Sequence, residues 1–297
     1  MTNIETVDWS FGRQVLEVIC ATDSRLVPEN FDNDEKITTA FEGIDACERF
    51  WAPEIIMDAG SYGRAITRWD AMWKRKATVK SRGHMCHTLV NQRGERKPGR
   101  LTIDADSHRK IDWLRLFRQL CEISDPIFGT LHLITEVEAS VGAFGLDENA
   151  LVAADQFLSG PPAIVLDRDG IPNLAWATFF GAQYASELDV AKLRANGYKV
   201  EEIGRGYLTE LTSDFFDVAD NFYEFSERRS EFKRLVRSDL FRIKLSLAGE
   251  AMYLRLRDIC LLTVGDAQAP SLKSLFVVHR CHVIGFWIFG FLIECFE

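Results

Sequence analysis

Residues 100–137 read RLTIDADSHRKIDWLRLFRQLCEISDPIFGTLHLITEV, and the hydrophobic period changes twice within them. Arg100–Asp104 alternates polar and apolar side chains, which suits a strand. Lys110–Ile123 sets Ile111, Leu114, Phe117, Leu120 and Cys121 at helical spacing, and Ile127–Val137 returns to alternation around Leu131, Leu133 and Val137. Outward from this centre the elements keep mixing without a regular strand–helix–strand rhythm. The sequence therefore predicts an α+β fold with mixed or antiparallel sheets and packed helices.

Upstream, Phe11, Val15, Val18, Ile19 and Thr22 predict a helix over 9–22, and Gly43–Trp51 predicts a short helix stopped near Pro53. Ala77–His87 and Arg100–Asp104, joined by the turn-rich 91–99, predict an antiparallel hairpin. Downstream, a helix over Asn149–Leu158 ends at Ser159-Gly-Pro-Pro162, the best candidate boundary between halves 1–160 and 161–297, although one continuous domain also fits. Strands are expected at Ala163–Leu166, Trp176–Phe180, Lys199–Ile203 and Gly206–Leu211, with a helix at Asp189–Ala195. The longest predicted element is an amphipathic helix near 214–237, capped by Ser213 and carrying an apolar stripe of Phe215, Val218, Phe222, Phe225, Phe232 and Val236.

The 297 residues are 47% hydrophobic, 11% aromatic and 27% charged, which excludes a disordered chain. The net charge of −9 conceals segregation: 1–61 carries −9, 62–118 carries +10, 119–227 carries −14 and 228–297 carries +4. An acidic protein is a poor coat for DNA or anionic membrane. No secretory signal is visible at Met1–Asp8, and the odd, scattered set of 7 cysteines forms no disulfide framework, so a cytoplasmic location is expected. The apolar run Val283–Ile293 is too short for a membrane span of roughly 20 residues. It suits a core element or a contact with a second copy or partner.

Chemistry-bearing motifs are sparse. Phosphate-binding glycine loops, the Gly-x-Ser-x-Gly elbow and His-Glu-x-x-His are all absent from the sequence. His84-Met-Cys-His87, with His108, and His279, Cys281 and His282 are the best metal-ligand sets, but without paired Cys-x-x-Cys spacing they read as strand side chains, and no metal or cofactor is expected. Asp104-Ala-Asp106 and Asp167-Arg-Asp-Gly170 are candidate carboxylate pairs, and a metal-dependent hydrolase using Asp104, Asp106 and nearby histidines is one alternative function. Another is a nucleic-acid-binding module in which the basic block 62–118 uses Trp69, Trp73 and Trp113 for stacking. Pairing of that block with its acidic neighbours is the competing explanation. Glu231-Phe-Lys233 is only superficially like the end of a nuclease motif, because it falls on a helix.

Three motifs in order carry a resemblance: Pro172-Asn-Leu-Ala-Trp-Ala-Thr-Phe-Phe-Gly-Ala-Gln-Tyr184, then Gly197-Tyr-Lys-Val-Glu-Glu-Ile-Gly-Arg-Gly-Tyr-Leu208, then Asp217 with Phe225-Ser-Glu-Arg-Arg229. Upstream, Arg25-Leu-Val-Pro-Glu-Asn-Phe31, Phe41-Glu-Gly-Ile-Asp45 and Phe50-Trp51 agree. Over roughly residues 10–245 the chain resembles the family 52 immunity proteins of bacterial polymorphic-toxin systems. The resemblance implies a non-enzymatic inhibitor of a cognate secreted toxin, delivered by a type VI apparatus and built on a restriction-endonuclease fold, a DNase. It supplies no catalytic residues.

A DNase presents a basic groove, which an acidic surface can cover. Asp214, Asp217, Asp220, Glu224, Glu227 and Glu231 recur every three or four residues on the predicted long helix, and Glu201, Glu202 and Glu210 lie on the strands before it. These nine carboxylates are the expected toxin-binding residues.

Overall fold

The computed structural model describes residues 5–58, 64–90, 96–135, 171, 173–237, 240–241 and 283–288. In chain order the strands are β1 (Asn30–Asp32), β2 (Glu54–Asp58), β3 (Arg64–Arg68), β4 (Ala71–Arg75), β5 (Ser81–Cys86), β6 (Leu89–Val90), β7 (Arg96–Lys97), β8 (Arg100–Asp106), β9 (Phe128–Ile134), β10 (Ala177–Phe180), β11 (Lys199–Ile203), β12 (Gly206–Glu210) and β13 (Val283–Ile288). The helices are α1 (Trp9–Thr22), α2 (Trp113–Ser124), α3 (Ala182–Ala185), α4 (Val190–Ala195), α5 (Asp217–Asp220) and α6 (Phe222–Leu235).

Nine strands form one sheet in the order β1-β4-β5-β8-β13-β9-β10-β12-β11. Every pairing in it is antiparallel. The α+β class is thus realised as helices on this nine-stranded antiparallel sheet, with β2 and β3 pairing as a separate two-stranded sheet. β5 and β8 pair as the hairpin the sequence predicts, with β6 and β7 forming a small ribbon in its connection. The hydrophobic cluster runs from Phe11 to Phe241 and the sheet from Asn30 to Ile288, both through the two expected halves, and the expected boundary at Gly160–Pro162 lies outside the described residues.

Side-chain alternation fixes which helix serves which face. One face bears Phe31, Trp73, Met85, Ile103, Leu131 and Phe179, all buried. Helices α1 and α2 belong to this core: α1 is capped by Asp8 (Oδ1 accepting from the Ser10 N–H at 2.7 Å) and buries Phe11, Val15, Leu16 and Ile19. α2 is capped by Asp112 and buries Leu116, Phe117 and Leu120. Its end is a left-handed residue, Asp125 at φ 37°, whose N–H returns to the Cys121 carbonyl. Gly83 is required here, because an added Cβ would lie 1.9 Å from Trp73, itself stacked on Phe31 with centroids 6.0 Å apart.

The second face is covered over its C-terminal half by α6. Phe225 packs on His132 with centroids 5.6 Å apart, and Phe232 stacks on Phe180 at 6.2 Å. With helices on both sides, every residue of β9 is buried, including the polar Thr130 and His132 that alternate with its apolar residues. The expected single helix over 214–237 is corrected: α5 and α6 are separate, parted at Asn221 (φ −141°, ψ 50°). The Asn221 side-chain amide donates to Glu224, the local bonding that makes Asn a poor helix-interior residue. Ser213 is not the cap; Asp214 organises the turn, its carboxylate accepting from the Phe216 N–H at 2.8 Å. The expected helix at Gly43–Trp51 is a 3-10 turn over Asp45–Phe50.

β13 comes from the apolar run 283–293 and occupies the middle of the sheet. Gly285 is in register with Asp104 on one side and His132 on the other. Both its edges are paired within the chain, so 283–288 is a central strand and offers no edge to a second copy; residues 289–293 lie outside the described set. Among the described residues no helix is long and apolar enough to cross a membrane. The expected helix 149–158 and strand 163–166 also lie outside them.

Candidate functional site

The turn after β12 carries the predicted acidic surface toward solvent. Trp176 anchors it, its indole N–H donating to the Thr212 hydroxyl at 2.9 Å while Phe215 packs edge-on at 5.2 Å. The apolar residues of 215–232 turn inward, and the carboxylates turn outward from that anchor.

The nine expected carboxylates divide into two sets. Four have cations of this chain against them. Asp220 pairs with Arg109, Glu201 with Arg118 at 2.7 Å, Glu231 with Arg228 at 3.0 Å, and Glu210 with Lys199 at 2.7 Å. Glu210 is also buried, at 5% exposure, so it offers nothing to another molecule and is corrected as a binding residue. The other five, Asp214, Asp217, Glu224, Glu227 and Glu202, have no ion-pair partner among the described residues. Asp217 accepts from the Asp214 backbone at 3.3 Å, and Glu224 from Asn221. Beside Glu224, and one helical turn from Glu227, Tyr223 is 50% exposed. An exposed aromatic is a residue type that protein interfaces favour at their centre, and carboxylates beside it suit the polar rim.

The basic block pairs inward as well as outward. Arg68 bonds Glu54 at 3.0 Å, while Arg109 and Arg118 reach across to the −14 block. Trp73 and Trp113 are buried, at 1% and 2% exposure, so of the three tryptophans only Trp69 can meet a base. The three-tryptophan stacking surface expected from the sequence is therefore corrected: Trp73 and Trp113 serve the core.

A second constellation lies on the outer face of β4, β5 and β8. His84 and Cys86 share that face at alternate positions of β5, and Asp70 immediately precedes β4, in line with Cys86 on the ladder. His84 Nε2 is 2.8 Å from Asp70 Oδ2, and Cys86 Sγ is 3.5 Å from His84 Nε2. Burial opposes charge on this imidazole, but the bonds with Asp70 and Cys86 outweigh it and hold its pKa up to about 9. Burial also opposes the Asp70 anion, yet the same contact keeps its carboxyl below the usual range.

His87 leaves this group. It is buried, donates from Nδ1 to the Thr6 carbonyl (3.0 Å), and meets Trp51 edge-on, with burial pushing its pKa down to about 4. His108 is also elsewhere, against Arg25. Of the candidate set His84, Cys86, His87 and His108, the structure keeps His84 and Cys86 together and adds Asp70, which no sequence motif announced; only strand pairing brings it there. Asp104 and Asp106 share the outer face of β8. Asp104 is largely buried with Oδ1 unpartnered, and burial raises its pKa to about 6 against the pull of Arg82 and His84. Asp106 is exposed and accepts from the Lys80 backbone at 3.2 Å. Asp167, Asp169, His279, Cys281 and His282 lie outside the described residues. Of the seven cysteines, Cys20, Cys47, Cys86 and Cys121 are described, and all four are free thiols.

Comparison of the chain with protein-family models, with curated proteins and with solved structures finds no match in any of the three.

Proposed function

We propose that this protein is an inhibitor that acts by binding: an immunity protein that neutralises a cognate toxin, with a DNase of restriction-endonuclease fold as the partner. The observation that carries the reading is the acidic stretch around Tyr223, where Asp214, Asp217, Glu224 and Glu227 have no cation partner among the described residues and the Tyr223 ring is exposed. The resemblance of 10–245 to immunity family 52 supplies the identity of the partner.

The physical role of such a face is twofold. Unpaired carboxylates set up a negative field that accelerates encounter with a basic groove, an effect weakened by salt. Tyr223 supplies apolar area at low entropic cost, as an anchor does. The paired and accessible Asp220, Glu201 and Glu231 contribute less, since their charge is already answered within the chain. The inhibitor itself performs no chemistry and works in the cytoplasm of the cell it protects, with neither nucleic acid nor membrane as its partner.

Co-expression with the toxin domain encoded beside it tests the reading. Restored growth and a complex on gel filtration are the expected results; continued killing with no complex would overturn it. Within a complex, Glu224→Lys with Glu227→Lys is expected to slow association more than tenfold at low salt. An unchanged on-rate would remove this face from the interface.

A further inference from the structure

We propose that Asp70, His84 and Cys86 form a binding site for a divalent transition-metal ion of the zinc class on the outer face of the N-terminal half of the sheet. The inference is independent of the toxin-binding face, which lies on other elements.

The geometry carries it. One donor atom from each residue, a carboxylate oxygen, an imidazole nitrogen and a thiol sulfur, lies within 4.8 Å of the other two. A tetrahedral ion with bonds of about 2.0–2.3 Å needs its donors roughly 3.3–3.8 Å apart. The 3.5 Å between Cys86 Sγ and His84 Nε2 is already in that interval. The 2.8 Å between His84 Nε2 and Asp70 Oδ2 is a hydrogen bond that the ion would replace, with the carboxylate withdrawing by about half an ångström.

The donors are also held by rigid elements. His84 and Cys86 sit on β5, paired on both edges, and Asp70 is fixed by the first residues of β4. Sites on strands keep their geometry better than sites on loops. All three residues are half-buried, so an ion reaches them from solvent without a conformational change.

The donor set selects the metal. A thiolate and an imidazole disfavour magnesium and calcium, and a mixed oxygen, nitrogen and sulfur set suits zinc and its spectroscopic substitute cobalt. Three protein donors leave one position for water, the arrangement of an open site rather than a closed structural one. Arg100 lies 3.9 Å from Cys86 Sγ. Its guanidinium opposes the ion's charge, so the affinity expected is micromolar rather than that of a closed four-ligand site.

The test uses the full chain, stripped with a chelator and titrated with Co²⁺ and then Zn²⁺. One Co²⁺ per chain with a thiolate-to-cobalt absorption band, displaced by Zn²⁺, is expected. His84→Ala and Cys86→Ser should each weaken Zn²⁺ binding at least tenfold by calorimetry, with the circular dichroism spectrum retained. Absence of a thiolate band in the parent chain at 100-fold excess Co²⁺ over an assumed ~1 µM affinity overturns the proposal. So does a band that survives in Cys86→Ser, which would assign the metal to another thiol. Should either variant fail to fold, the parent spectrum and Asp70→Asn, which keeps the side-chain shape, decide the matter.

Discussion

The outer face of the sheet is one surface with two characters. Over β9, β10 and β12 it lies beneath α6, and its residues, Thr130, His132, Thr178 and Phe180, are buried. Over β4, β5 and β8 it presents Lys74, Arg82, His84, Cys86 and Asp106, half-buried or exposed, with no described helix upon it. Both halves have the same strand geometry and share β13 as a border. They differ in what each side chain can exchange with water. The first half is where substitutions should cost stability, and the second is where they should cost ligands.

The largest effect should come from the covered half. Phe232 is fully buried between Phe180 and Tyr198, and Phe232→Ala is expected to cost about 3–5 kcal/mol in urea unfolding. A loss below about 1 kcal/mol would break the contrast. Next is Asp104 on the border. Its raised pKa means that the fold prefers the protonated form, so its contribution is full below pH 4 and is lost as pH rises through about 6. Asp104→Asn should therefore gain on the order of 1–2 kcal/mol over the parent at pH 7, with the gain vanishing near pH 4. A gain of equal size at both pH values would mean that ionisation is not the cause.

On the inner face, Gly83→Ala should destabilise by about 1–3 kcal/mol, because the stacked, buried Trp73 cannot yield to a Cβ. Urea unfolding checks this, and an unchanged midpoint would mean that Trp73 moves aside. Smallest of all, His84→Gln without added metal is expected to change stability by about 1 kcal/mol or less, as befits a half-exposed ion pair with Asp70. A loss comparable to Phe232→Ala would make the uncovered half structural after all.

The two halves were also unequally legible from the sequence. The amphipathic stripe of α2 and the limits of β11 follow from local periodicity, because a helix face and an edge strand each see water on one side. The alternation of β9 announced a strand but not that helices bury both of its faces. The acidic stripe was visible as charge, yet its division was not: Arg109 and Asp220 are 111 positions apart, and nothing local announces that one answers the other. Asp70 was missed for the same reason. It joins His84 only through a ladder, and the spacing of 14 residues has no meaning outside the sheet. The break at Asn221 had a signal, an Asn amid acidic helix formers, but the continuous apolar stripe on either side outweighed it.

The central position of β13 has a temporal consequence. Every other strand of the sheet precedes it in the chain, and β8 must wait from residue 106 until residue 283 for this neighbour. Closing so long a loop adds little to the equilibrium cost, which grows only logarithmically with length, but it slows folding. Until then the half-sheets end in open edges at β8 and β9, which are templates for wrong partners. The hazard therefore falls during synthesis rather than in the finished protein, and a chaperone that shields β8 and β9 should raise the yield more than it changes the final stability.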